Sequence, residues 1–148
     1  MEGASVERMA SKLNPYLSFK DTARDAMEFY QSVFGGELFV STFGEMGDPD
    51  AAEANLVMHS SLQTPSGYTL FASDTPPGMD FTAGSQITVS LSGDGESGDE
   101  LRGYWEKLSS DGTVRMPLER QMWGDDFGMV TDKFGIDWMV NIAGEGNA

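Results

Sequence analysis

Apolar residues recur along this chain at two periods, one helical and one alternating, and the periods change over in the same order twice. The helical period appears first between Thr22 and Phe34, where Ala23, Ala26, Met27, Tyr30, Val33 and Phe34 fall on one stripe. Asp21 or Thr22 is placed to cap its start, and Gly35-Gly36 to end it, because glycine tolerates positive φ. The second helical stretch runs from about Gly98 to Ser110, with Leu101, Tyr104, Trp105 and Leu108 on its stripe. Ser97 and Glu100 read as a capping box there, and Asp111-Gly112 as the stop. Alternating segments surround both helices. Leu13 to Lys20 precedes the first, and Glu37 to Phe43, Asn55 to Gln63 and Tyr68 to Ser73 follow it. Ser85 to Ser92 precedes the second, and Thr113 to Leu118, Phe127 to Thr131 and Ile136 to Ile142 follow it. Each half therefore reads strand, helix, strand, strand, strand, with Phe29-Tyr30 matched by Tyr104-Trp105. The pattern predicts an α+β fold of two tandem βαβββ modules.

Turn-forming residues divide the chain accordingly. Module 1 spans about 13–74 and module 2 about 85–143, joined by a linker at 75–84 that contains Pro76-Pro77-Gly78. Residues 1–12 read as a loose N-terminal tail, with Met9 an alternative start, and 144–148 as a C-terminal tail. Gly44 to Ala54 reads as a mobile acidic loop. Alternation also assigns faces. Ile87, Val89 and Leu91 share one face of their strand and call for a helix to cover them. Gln86, Thr88 and Ser90 share the other and are free to line a cavity. In the Asn55 to Gln63 strand, the lone histidine, His59, shares a face with Val57, Ser61 and Gln63, opposite Leu56, Met58 and Leu62. His59 is thus either a cavity residue, and the candidate catalytic base, or a structural or solvent-facing histidine. His59 and Ser60 point to opposite faces, so no Ser-His-Asp triad is indicated.

Composition narrows the function classes. With no cysteine, disulfides, thiolate nucleophiles and zinc–cysteine sites are excluded. The formal charge of −15, from 24 acids against 9 bases, repels nucleic acid and anionic membranes. No stretch approaches the roughly 20 apolar residues of a membrane span, and Met1 to Lys12 lacks the apolar run of a signal peptide. A cytoplasmic protein is the expectation.

Several local motifs together resemble the PhnB-like branch of the glyoxalase/bleomycin-resistance/dihydroxybiphenyl dioxygenase (vicinal oxygen chelate) superfamily. They begin with Asn14-Pro15-Tyr16-Leu17-Ser18-Phe19 and the helical run Phe29-Tyr30-Gln31-Ser32-Val33-Phe34-Gly35-Gly36. Met58-His59-Ser60 and Ala72-Ser73-Asp74 follow. The C-terminal half adds Met116-Pro117, Trp123-Gly124, Phe127-Gly128, Asp132-Lys133-Phe134-Gly135 and Trp138. The resemblance covers roughly 13–142. It implies a curved eight-stranded sheet around a cleft, and frequent homodimerisation. Superfamily members include metal-dependent lyases, dioxygenases, thiol transferases and proteins that sequester drugs. PhnB-like proteins have also carried a demethylubiquinone methyltransferase label. This chain has no G-x-G-x-x-G after a strand to support a methyl-donor nucleoside.

The resemblance also implies where an ion would sit in metal-dependent members: on the first and fourth strands of each module. There the last strand reads Asp-Pro-x-Gly-x-x-aromatic or aliphatic-Glu, with Glu as ligand. The corresponding run here is Asp132 to Met139, and Met139 stands where the carboxylate should be. Counting likewise from Gly67 reaches Phe71. First-strand positions fall near Asn14 and near Gln86 or Ile87. Neutral amides, a thioether and a phenyl ring do not offset the dehydration of a hard cation, so neither a metal nor another cofactor is predicted. Asp74, Asp132 and Asp137 remain for a displaced site, Asp132 having a simpler role in the turn before Gly135. Glu119, Asp125 and Asp126 flank Trp123 and read as a solvated loop or an acid/base group. Trp123 itself suits stacking on a flat ligand or a dimer contact. Ten methionines suggest core or an adaptable lining. The expected ligand-contacting residues are His59, Gln86, Thr88 and Trp123. Three functions fit: a metal-free binding protein for a small, partly apolar molecule, an enzyme on a small metabolite using His59 or a cleft carboxylate, and a non-catalytic interaction module.

Overall fold

The stripe between Thr22 and Phe34 folds as helix α1, Ala23–Phe34, and all six of its apolar residues are buried. The structure, a computed structural model, describes residues 12–76, 78–84 and 86–144. The N-terminal tail at 1–11, the C-terminal residues 145–148, Pro77 and Ser85 lie outside them. The cap of α1 comes from a distant strand. Thr22 makes no capping bond, and Asp74 Oδ1 accepts from the Ala23 N–H at 2.9 Å. Gly36 ends the helix at φ 102°, and a Cβ there would stand 2.0 Å from the Gln63 carbonyl oxygen, so only glycine fits.

Strands β1 (Tyr16–Phe19), β2 (Glu37–Thr42), β3 (Val57–Gln63) and β4 (Thr69–Asp74) form one sheet in the order β1-β4-β3-β2. β1 runs parallel to β4 and the other pairs are antiparallel. A one-turn helix α2, Phe43–Met46, opens the segment read as an acidic loop, held by a Thr42/Glu45 capping box. The second half repeats the plan with β5 (Val89–Gly93), α3 (Gly98–Leu108), β6 (Thr113–Arg120), β7 (Asp126–Thr131) and β8 (Asp137–Ile142). Its order is β5-β8-β7-β6. The tandem βαβββ reading therefore holds, with the eight strands in two four-stranded halves, one edged by β1 and β2 and the other by β5 and β6. Among the described residues no helix is long and apolar enough to cross a membrane.

Three local expectations are corrected. The strand read from Ser85 starts at Val89, because its ladder with β8 begins at Val89 opposite Trp138. Ile87 precedes that ladder and is 83% exposed, so it is not a core residue. Val57 and His59 do not share a face. Thr42 pairs with Val57 and Ser41 with His59, leaving Met58 as an extra residue, and this bulge turns Val57 into the core beside Ser60 and Leu62. The bulge frees the Val57 N–H, and the buried Asp74 Oδ2 accepts it at 2.8 Å. The Ser97–Glu100 capping box does not form. Asp94 accepts from the Glu96 and Ser97 N–H groups, while Glu100 reaches across to the first module.

That crossing belongs to a reciprocal clasp. The Tyr30 hydroxyl of α1 donates to Asp132 Oδ2 at 2.7 Å in the β7–β8 turn, and Trp138 Nε1 donates to the same oxygen at 2.9 Å. In the opposite sense, the Tyr104 hydroxyl of α3 meets Ser66 Oγ at 2.8 Å in the β3–β4 turn, and Glu100 accepts from both. Phe34 packs on Tyr104 and Trp138, with ring centroids 4.8 and 5.6 Å away. Burial, then the Asp132 charge, pushes the Tyr30 hydroxyl far above the ordinary tyrosine range. Tyr104 is pushed up to about 12 by burial and its bond to Glu100, and Glu100 is held below its usual range by Ser66 and Tyr104.

Tyr30→Phe should lower the unfolding free energy by about 2 kcal/mol in urea titrations at neutral pH, with m unchanged. Tyr30 has a raised folded-state pKa, so its contribution is complete below the unfolded tyrosine value of about 10 and fades as pH rises further. The gap between the two proteins should therefore narrow above that pH. A gap under about 0.5 kcal/mol at neutral pH would show that the clasp does not hold the modules together.

Candidate functional site

The helices cover one face of each sheet and leave the other open. On the first sheet the covered face carries Leu17, Phe19, Ser60, Leu62, Leu70 and Ala72, all buried. Alternation then brings Tyr16, His59 and Phe71 together on the open face. Tyr16 lies opposite Phe71 across the parallel ladder. The His59 ring sits 5.8 Å from Tyr16 and 5.4 Å from Phe71. Its Nδ1 is 3.1 Å from the Tyr16 hydroxyl. Where the phenol donates, the imidazole carries its ring proton on Nε2. His59 is thus a positioned polar group in an aromatic setting, suited to donate to a carbonyl or other acceptor. Tyr16 and Phe39 stay 51% and 61% exposed on the same sheet.

The open face of the second sheet has a different chemistry. Ser90 lies opposite Met139, and Thr131 opposite Asp137. Arg115 Nε donates to Thr131 Oγ1 at 3.0 Å, and that hydroxyl donates to Asp137 Oδ1 at 2.6 Å. Thr88, Arg115, Met129 and Asp137 border a pocket of about 390 Å³. A larger cavity of about 660 Å³ lies at the seam, between Asn14-Pro15 and Thr69 of the first module and Ser90, Ser92 and Trp138 of the second. Its size is that of a small-molecule site.

The four residues expected to contact a ligand are not gathered in one place. His59 belongs to the open face of the first sheet, and Thr88 to the pocket on the second. Gln86 is exposed ahead of β5. Trp123 is 54% exposed in the β6–β7 turn, its ring 6.1 Å from Phe127. Two of the three acids around it are structural, and Glu119 is exposed. Asp126 sits between Arg102 and Arg120, which hold its carboxyl below the usual range. Asp125 accepts from Asn141 Nδ2 and the Gly144 N–H, each at 3.0 Å. Tyr16 and Phe71 were missed as partners of His59, although alternation with Leu17 and Leu70 places both on the open face. Arg115 was not singled out, although alternation with Val114 places it on the open face.

The donors do not suit a metal of the kind the superfamily uses. The first-strand counterparts sit later than counting suggests, since Asn14, Gln86 and Ile87 all precede their ladders. The residues opposite Phe71 and Met139 are Tyr16 and Ser90. A phenyl ring, a thioether and two neutral hydroxyls are a poor set for a hard divalent ion. No group of three or more His, Asp or Glu side chains among the described residues is arranged to hold one.

A family model described as 3-demethylubiquinone-9 3-methyltransferase matches residues 11–141. Among solved structures, protein PA1353 from Pseudomonas aeruginosa is 32% identical at a TM-score of 0.79, with 90% of this chain and 98% of that one covered. The PhnB protein from Bacillus cereus is 28% identical at a TM-score of 0.70, covering 90% and 100%. A glyoxylase/bleomycin resistance protein/dioxygenase domain from Frankia sp. EAN1pec shares the fold at 14% identity and a TM-score of 0.65, covering 93% and 94%.

Nitrogen-15 NMR of the imidazole should show Nε2 protonated and Nδ1 accepting in the unmodified protein. In Tyr16→Phe the Nδ1–H tautomer should gain population, at a stability cost under about 1 kcal/mol because the pair is partly exposed. An unchanged tautomer balance would mean that Tyr16 does not orient His59.

Proposed function

We propose, on the premise that this chain belongs to the 3-demethylubiquinone-9 3-methyltransferase family, whose PhnB-type members have the glyoxalase/bleomycin-resistance fold, that it is a metal-independent binding protein for a small, partly apolar molecule and works as a cytoplasmic homodimer. One observation carries the reading. At the fourth-strand positions where metal-dependent superfamily members would hold a carboxylate, this chain has Phe71 and Met139, and beside Phe71 an imidazole is held by a phenol rather than by an acid. Such a surface stacks on a flat apolar group and offers one directed hydrogen bond. It lacks the charge that makes a hard cation bind.

A second copy is the natural cover for the open faces. Tyr16 and Phe39 on the first sheet and Met116 on the second are large, apolar and well exposed in a single chain. Exposed apolar side chains on an open sheet face suit an interface better than water. Methyl transfer, which the family's descriptive name suggests, has no support in a chain without a glycine-rich strand-to-helix turn for a nucleoside. His59 as a general base is the runner-up, through the tautomer in which Nδ1–H donates to the Tyr16 oxygen and Nε2 keeps its lone pair.

Chelator-treated protein should take up manganese, nickel or zinc only weakly in calorimetric titrations, with no dissociation constant below about 10 μM. A panel of flat aromatic fragments should give saturation transfer that His59→Ala diminishes. Light scattering should return twice the chain's mass, and Phe39→Glu should shift it towards one chain. A tight metal ion, or fragment binding indifferent to His59, would sink the reading. A monomer would remove its dimeric part.

A further inference from the structure

We propose that the open face of the second sheet carries a subsite for a small zwitterion, with Arg115 receiving the anionic group and Asp137 the ammonium. The proposal rests on the reading above that these faces hold a small molecule, and it names the class of that molecule.

Arg115 lies on the open face because Thr113, two residues before it, sits opposite Thr131 there. Val114 pairs with Val130 and Met116 with Met129, so Arg115 is an extra residue with no partner of its own, and the bulge turns Met116 onto the same face. The guanidinium reaches Thr131, on the face that also carries Met129 and Asp137. The side chain is then fixed by Nε alone, through Thr131 Oγ1 to Asp137 Oδ1.

The fork of the guanidinium is left over. The ion pairs among the described residues are Arg102 and Arg120 with Asp126, and Arg115 makes none. Lys107 and Lys133 are likewise held without a carboxylate, by the Ser32 carbonyl and the Phe29 ring, but of these three only Arg115 borders the pocket on the second sheet. Its two terminal nitrogens present the planar pair of donors that suits a carboxylate or phosphonate. Asp137 lies one hydroxyl away and keeps a second carboxylate oxygen beyond the Thr131 bond. A plain anion at Arg115 would meet that charge at close range, and a net charge of −15 on approach. A zwitterion meets neither obstacle, because it approaches as a neutral body and matches both signs locally. The pocket bordered by these groups has a volume of about 390 Å³, and Met129 supplies adaptable apolar surface for a short carbon chain.

The test uses the full chain and the twenty proteinogenic α-amino acids, with 2-aminoethylphosphonate as the phosphonate arm. Binding is read by saturation-transfer NMR and quantified by calorimetry. At least one member should bind, and its N-acetyl and ester derivatives, each lacking one charge, should bind at least about tenfold more weakly. Arg115→Gln and Asp137→Asn should each weaken it by a similar factor while the melting temperature holds. Arg115→Lys, which keeps the charge and loses the fork, should recover only part of the affinity. No binding by any member would overturn the proposal. So would a binder that ignores Arg115→Gln. A binder lost in His59→Ala but untouched by Arg115→Gln would overturn the zwitterion subsite alone and leave the cleft reading standing.

Discussion

Asp132 is a carboxylate buried to 4% exposure with no cation among the described residues bonded to it, and the join between the two modules depends on how it is satisfied. Its four bonds come from Tyr30, Trp138 and the Phe134 and Ile136 N–H groups, at 2.7 to 3.1 Å. Three of those donors belong to its own hairpin. The fourth belongs to the helix of the other module, so the β7–β8 turn is fully satisfied only when the modules are docked. An unpartnered buried acceptor costs far more than a satisfied one gains. This makes the docked arrangement specific rather than merely adhesive. The matching bond from Tyr104 to Ser66 and Glu100 lies nearer solvent and contributes less.

Docking through the helices has a consequence for the opposite faces. Each sheet has a single apolar face that a helix can cover, and the clasp uses both helices on the same side of the join. The open faces are then free of the packing constraint that governs Leu62, Leu70, Val130 and Val140. Asp74 extends the same economy. One buried carboxylate caps α1 through the Ala23 N–H and closes the β3 bulge through the Val57 N–H. That bulge keeps His59 on the open face while Val57 turns inward.

Most of the fold was legible because burial imposes period. Both long helices and most of the strands follow from stripes of apolar residues, and Gly35-Gly36 marks the end of α1 through a backbone that no side chain could share. What could not be read depends on partners far away in the chain. Neither the cap of α1 by Asp74 nor the cost of a missing ladder before Val89 leaves a local trace. Asp132 was assigned its turn role correctly, and its bonds to Tyr30 and Trp138 are long-range additions. The candidate site was legible only in part. His59 was found because it is the lone imidazole, and Thr88 because of alternation. Arg115 was not singled out, since its link to Asp137 runs through Thr131 on another strand and leaves no local trace.

The two modules share a strand order and a helix-to-turn clasp, yet their open faces have diverged to different chemistries. Phe71 and Met139 each follow the glycine of their hairpin by four residues, and both are apolar. Their cross-strand neighbours differ, a phenol that orients an imidazole on one side and a serine on the other. The extra residue in β6 has no counterpart in the β2–β3 ladder at the matching place, where the irregularity falls in β3 instead. A repeated core therefore does not imply a repeated site. Where the covered faces must keep volume and period, the open faces need only keep hydrogen bonds satisfied, and one inserted residue is enough to change which side chains share them. That freedom is the physical reason one fold hosts many activities, and it places the search for this protein's ligand with the residues that break the internal symmetry.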